Sequence, residues 1–294
     1  MSLANRFDEI AWDARVEPKL IQLARPIVQM LARLHPLRLE GSDHLPKGPA
    51  LLVGNHGVLG YESPFFFERV LAASGRMPIG LADRWFFRVP GLRDLLVRLG
   101  GAYGCTHNAL RALGRGDLVV CYPGGAREVL KHERDKYRCL WRNSLGFVRL
   151  AMAARVPVVP FAAAGVDHTY RVVAHVKGTG HALMGHGKYD LPLVWGLGPL
   201  PRPVPFWFRI GPPVALPEDH PRSEDTVRDL HADIWSRTQR MVDELVDEWS
   251  DHHQVRGAPG RTRNAKGGAA QGRKCVSGGH AAPPRGREPY NEEA

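Results

Sequence analysis

Three short apolar runs frame this chain. Leu51-Leu52-Val53 stops at Gly54, Leu118-Val119-Val120 lies between Asp117 and Tyr122, and Val156 to Ala164 is apolar throughout. Such runs, bounded by turn residues and alternating with helical spacing, predict strands of a mainly parallel sheet buried on both faces. Leu37 to Glu40 alternates and turns at Gly41, Met77–Leu81 and Phe206–Ile210 predict further strands, and Gly101–Thr106 reads as a strand-like turn. Helical spacing fills the gaps. Ser63-Pro64 opens a helix with Pro at its first turn and Phe65, Phe66, Phe67, Val70 and Leu71 on one face. Further helical stretches are Leu92–Leu99, Asn108–Leu113 and Gly146–Arg155. Ser223–Trp249 predicts one long C-terminal helix, with Ser223 as its cap. Residues 191–205, LPLVWGLGPLPRPVP, are too interrupted by proline for a helix. The expected class is α/β, a mainly parallel central sheet flanked by helices, with an N-terminal helical segment and a long C-terminal helix.

Residues 1–36 read as that N-terminal amphipathic segment. Leu20, Leu23, Ile27, Met30, Leu31 and Leu34 recur at steps of three and four, and Pro26 is expected to kink or split the helix. Its apolar stripe with basic flanks suits either a membrane interface or packing on the domain; packing is the expectation. The globular domain then spans 37–250. Beyond 251 the apolar periodicity stops, and 251–294 reads as a disordered basic tail.

Net charge is +10, from 40 basic against 30 acidic residues, and +4 of it falls in the tail. A basic surface suits an anionic membrane or a phosphorylated molecule. No nucleic-acid-binding motif is present, so nucleic acid is not the expected partner. Cys105, Cys121, Cys139 and Cys275 form neither a metal-binding pattern nor a disulfide framework, which predicts reduced thiols and no metal site. The N-terminal residues lack the apolar core of a signal peptide, and no window reaches about 18 uncharged apolar residues. A cytoplasmic protein meeting a membrane only at its surface is expected. Trp85, Phe86 and Phe87 lie between Arg84 and Arg88, a composition found both at membrane interfaces and in ordinary cores.

Two loops carry candidate chemistry. Gly54-Asn55-His56-Gly57 follows the first apolar run, with Glu62 close behind; a histidine there is suited to general-base work near neutral pH. Pro123-Gly124-Gly125-Ala126-Arg127-Glu128 follows the second run. Adjacent glycines let backbone N–H groups approach an anion. Both loops leave predicted strands at their carboxyl ends, where α/β sheets bind ligands. There is no GxSxG elbow, which weighs against a serine hydrolase.

The motifs GNHGVLGYE at 54–62, YPGGARE at 122–128, GFVRLA at 146–151 and VPVVPF at 156–161, with GPLPRPVPFWFRIGPPV at 198–214, resemble the PlsC-type glycerolipid acyltransferase family. Within it they look like the diacylglycerol-acyltransferase-like and phytyl-ester-synthase-like branch. The resemblance covers about 37–215 and implies a glycerol-3-phosphate acyltransferase-like fold, with 37–250 as the acyltransferase domain. It implies an acyl-CoA or acyl-carrier-protein donor, no bound cofactor, and a lipid acceptor reached at a membrane surface. The apolar acyl chains need a greasy lining, for which Trp85, Phe86, Phe87, Phe65 to Phe67 and Phe206 to Phe208 are the available residues. It also implies His56 as the base that deprotonates the acceptor hydroxyl. The family's acid stands five residues after its histidine; here that position is Tyr61, and Glu62, one later, is the expected orienting acid. Where the glycerol-phosphate branch has an acidic residue after the proline, this chain has Gly124, which points to a neutral acceptor such as mono- or diacylglycerol or a long-chain alcohol. Gly124, Gly125, Arg127 and Glu128 are the expected substrate-binding residues. Arg127 is expected either on donor phosphates or in a pair with Glu128, and the amides around Gly124 and Gly125 as an oxyanion hole. The alternatives are a lysophospholipid or glycerol-phosphate acyltransferase, an esterase or thioesterase, and a non-catalytic lipid-binding protein of the same fold.

Overall fold

The computed structural model describes residues 12–180, 190–216 and 223–253. In it the three apolar runs are adjacent strands. In chain order the strands are β1 (Leu37–Glu40), β2 (Ala50–Gly54), β3 (Ile79–Ala82), β4 (Gly101–Tyr103), β5 (Leu118–Cys121), β6 (Val158–Ala164), β7 (Arg171–Val176), β8 (Leu191–Trp195) and β9 (Phe206–Ile210). Seven of them form one sheet in the order β1-β9-β6-β2-β5-β3-β4. From β6 to β4 all neighbours are parallel, whereas β9 runs antiparallel to β6 and parallel to β1. Every residue of β2 and β6 is buried, as their unbroken apolar composition requires. The central trio aligns Val53 with Cys121 of β5 and with Pro160 of β6. Chains leaving β2 and β5 therefore emerge side by side at one edge. β7 and β8 form a separate antiparallel pair.

The helices are α1 (Pro18–Leu31), α2 (Ser63–Ser74), α3 (Leu92–Arg98), α4 (Thr106–Gly114), α5 (Ala126–Val129), α6 (Gly146–Ala154) and α7 (Glu224–His253). The last packs along β6 and buries Val227, Ile234, Val242, Leu245 and Trp249. It runs through residues 251–253, so the expected tail begins later; 254–294 lie outside the described residues. Cys105, Cys121 and Cys139 are free thiols.

Three expectations need correction. The N-terminal helix begins at Pro18, and Pro26 lies within it without splitting it. Residues before it run along the sheet edge, Trp12 C=O accepting from the Tyr103 amide and the Arg15 amide donating to Val97 O; residues 1–11 lie outside the described part. Most of the predicted stripe of α1 also does not pack, Leu31 being the exception. Val28, Leu31 and Ala32 touch the core and Arg25 and Gln29 reach Glu68, while Leu23, Ile27, Met30 and Leu34 face outward and are exposed. Finally, Phe65, Phe66, Phe87, Phe206 and Phe208, expected as the lining of an acyl site, are core residues. Phe66 stacks on Phe161 at 4.2 Å, because this face of α2 lies against the sheet; of the predicted aromatic lining, Trp85 and Phe86 are exposed.

Candidate active site

His56 follows β2 by two residues, and the intervening Asn55 explains its fixed direction. The buried Asn55 amide donates to Ala163 O (3.0 Å) and accepts from the Ala163 amide (2.8 Å), imitating one more strand residue against β6. The His56 peptide is then held on both sides. Its N–H donates to Glu128 Oε2 at 2.7 Å, and its C=O accepts from Lys131 Nζ at 2.8 Å. The ring lies flat on Tyr122, with centroids 3.8 Å apart. His56 Nδ1 lies 2.5 Å from Glu62 Oε1, which also accepts from the Gly57 amide.

Glu62 is fully buried. Burial alone raises its pKa, but the adjacent His56 and the Gly57 amide bring it below the ordinary carboxylate value. An ionised carboxylate accepts only, so Nδ1 carries a proton, and in the neutral ring Nε2 is the acceptor. Among the described residues Nε2 has no hydrogen-bond partner. The side chain is 14% exposed, enough to meet a substrate. Gly60 keeps the turn close: its φ is +67°, and a Cβ there would stand 2.7 Å from His56 Cε1. Tyr61, at the family acid's position, instead turns to the buried His35, its hydroxyl 3.3 Å from Nε2. The displaced acid therefore reaches the histidine from one residue later, at the start of α2.

The second loop does something other than predicted. Glu128 is fully buried, with one carboxylate oxygen on the His56 amide and the other accepting from the Leu140 amide at 2.8 Å. It supports the histidine loop and has no face for a substrate. Arg127 does not pair with it; the guanidinium donates to Leu140 O, Trp141 O and Ser144 Oγ and so ties down the loop before α6. Gly124 is packed against Glu128: a Cβ there would lie 2.2 Å from its carboxyl carbon. The Gly125 amide donates to Tyr122 O and is not open to a ligand.

Two residues that hold the histidine loop carry no signal in the sequence. Lys131 and Asp167 form an ion pair of 2.8 Å with both side chains fully buried. Asp167, just after β6, also accepts from the Val58 amide (3.2 Å) and the Tyr137 amide (2.7 Å). Burial lowers the Lys131 pKa, but Asp167 and Glu128 outweigh it and hold it above the usual value. The pair thus clamps both sides of the His56–Val58 turn. Charged residues in irregular segments 36 positions apart carry no local signal. Among the described residues no three His, Cys, Asp or Glu side chains group as a metal site.

Glu128 gives a pH prediction. Burial pushes its carboxyl up to about 7, against the pull of Lys131 and the His56 amide. A raised folded pKa means the protonated form is favoured on folding. Its contribution to stability is full below the unfolded value of 4.5 and is lost as pH rises through about 7. Between those limits wild type is expected to lose on the order of 3 kcal/mol that Glu128→Gln does not. Urea unfolding of both proteins across this range checks it; parallel pH profiles would contradict it. Glu62 has the opposite sign but is common to both proteins.

Residues 36–164 match the family model described as Acyltransferase. A Gallus gallus protein named "DGAT1/2-independent enzyme synthesizing storage lipids" is 33% identical over 143 residues, covering 49% of this chain and 43% of the relative. The Homo sapiens protein of the same name is 28% identical over 138 residues, covering 47% and 42%. The chain thus spans less than half the length of these relatives. An uncharacterised Mycobacterium tuberculosis protein is 26% identical over 219 residues, covering 70% and 59%. The crystal structure of the 1-acyl-sn-glycerophosphate acyltransferase PlsC from Thermotoga maritima aligns with a TM-score of 0.43 at 16% identity, covering 81% of this chain and 84% of that one.

Proposed function

We propose that this chain, whose residues 36–164 match the Acyltransferase family model, is an O-acyltransferase that moves a fatty acyl group from a thioester donor, acyl-CoA or acyl-carrier protein, to the hydroxyl of a neutral lipid. The observation that carries the reading is the state of His56. Its Nδ1 is bound to a buried carboxylate, its main chain is fixed from both sides, and its Nε2 is open. Nε2 takes the proton of the acceptor hydroxyl as the oxygen attacks the thioester carbonyl. Glu62 holds the tautomer and stabilises the imidazolium. Collapse of the tetrahedral intermediate expels the thiolate, which takes the proton from Nε2 and leaves as a thiol.

A neutral acceptor is favoured because the basic side chain of the second loop and the one just after α5 are engaged within the protein: Arg127 on the 140–144 segment and Lys131 on Asp167 and His56 O. Gly124 has no room for the acid found in the glycerol-phosphate branch. With labelled acyl-CoA and a panel of monoacylglycerol, diacylglycerol, long-chain alcohol and lysophospholipid, the neutral acceptors are expected to be acylated fastest. Preference for a lysophospholipid would overturn the acceptor assignment while leaving the chemistry.

The acceptor and the acyl chain reside in membranes. No helix among the described residues is long and apolar enough to cross one. The exposed stripe of α1, with Arg33 and Lys19 beside it, has the make-up of a helix that lies in a bilayer interface. Peripheral docking on the membrane is therefore part of the proposal.

A further inference from the structure

The β7–β8 pair has two apolar faces, and among the described residues only one is covered. Its register pairs Val172 with Val194, Ala174 with Leu193 and Arg171 with Trp195, with Val173 as an extra residue between the first two pairs. Val172 and Val194 point inward and pack, with Tyr170, on Val58, two residues after His56. On the same inner face His175 Nε2 lies 2.7 Å from Leu130 O, and the Val172 amide donates to Glu133 Oε2 at 2.8 Å. Apart from Arg171 opposite Trp195, the outer face carries Ala174, Val176, Leu193 and Trp195 where polar residues are expected on the solvent side of an antiparallel pair. Leu193 is 56% exposed, Trp195 59% and the bulged Val173 61%; Leu197 and Leu200 extend the surface into the next turn. A contiguous exposed apolar area of this kind marks an interaction surface.

The charges around it select the partner. Arg171, beside Trp195, and Lys177 are exposed. The nearby carboxylates are engaged elsewhere: Asp167 is buried on Lys131, Glu133 holds the Val172 amide and Lys136, and Asp190 accepts from the Gly180 amide. An apolar face with an outward tryptophan and a cationic border fits an anionic lipid surface. We propose that the outer face of β7–β8 docks into the interface of an anionic bilayer, so that the element bracing the His56 loop is itself seated on the membrane. The choice of a bilayer rests on the lipid-acyltransferase reading above; the face itself does not.

The full chain is to be sedimented with vesicles of phosphatidylcholine alone and with added phosphatidylglycerol. The Leu193→Ser/Trp195→Ser protein is expected to bind the anionic vesicles about tenfold more weakly or worse, from the lost apolar burial. Trp195→Phe retains apolar bulk; it is expected to bind as wild type but to lose part of the quenching by brominated lipid. Wild-type binding by the double variant, or unchanged quenching in Trp195→Phe, would overturn the proposal. So would a wild-type dimer that the double variant dissociates, because the face would then belong to a second copy of the chain. Turnover of a water-soluble short-chain acceptor by wild type, without vesicles, reads the reaction separately. Failure there with vesicle binding intact removes the enzymatic reading and leaves the docking face.

Discussion

His56→Ala is expected to lower the rate of acyl transfer by about 10²–10⁴-fold while leaving the fold in place. The first half follows from the open Nε2: no other described group stands in its position to take the acceptor's proton. The second half follows from how the loop is held. Glu128 and Lys131 grip the main chain of residue 56, its N–H and its C=O, and alanine keeps both. What the variant loses is the partner of Glu62, which retains the Gly57 amide. Glu62→Gln removes that charge, and because the two residues act as one unit the double variant is expected to be no slower than His56→Ala. Circular dichroism and acyl-transfer rates on the three proteins check both halves.

Lys131→Met is expected to cost about 3–5 kcal/mol of stability, the range for breaking a buried ion pair by removing one partner. Asp167 would stay buried with two backbone donors and no cation, and the His56 carbonyl would lose its ammonium donor. Asp167→Asn added to Lys131→Met removes the stranded charge and keeps an acceptor for the amides, so part of the stability is expected to return. Replacing Asp167 by leucine would not do this, because the Val58 and Tyr137 amides would be orphaned. Urea midpoints of the single and double variants measure the effect. A loss below about 1 kcal/mol in Lys131→Met, with activity unchanged, would show that the pair does not hold the loop.

Much of this architecture is readable from the chain because its signal is local. The unbroken apolar runs of β2, β5 and β6 admit few readings, and α7 repeats its apolar positions over many turns. Adjacency of the two loops also followed, since parallel strands deliver their carboxyl ends to one edge. The distance from Glu62 to His56 was open in the sequence because the acid sits one residue beyond the family position. The structure brings it within 2.5 Å by turning Tyr61 toward His35. What stayed hidden depends on long-range contact. Glu128 and Arg127 look like ligand-binding residues in a glycine-rich loop, yet they hold the main chain of His56 and of the 140–144 segment. Lys131 and Asp167 meet only because β5 and β6 flank β2. Aromatic runs such as Phe65–Phe67 read alike whether they line a tunnel or fill a core. The β7–β8 hairpin lacks a polar face, and Pro192 lies within its second strand, so neither alternation nor turn chemistry marked it.

In the proposed reaction His56 activates a lipid hydroxyl for attack on an acyl thioester, and following the acyl label tests this most directly. Wild type and His56→Ala are to be incubated with labelled acyl-CoA and a neutral lipid alcohol, and the products identified by mass spectrometry. The predicted result is label in the ester of the alcohol with wild type and essentially none with His56→Ala. Near-full ester formation by His56→Ala, or label recovered from wild type only as free fatty acid despite the alcohol, would contradict it.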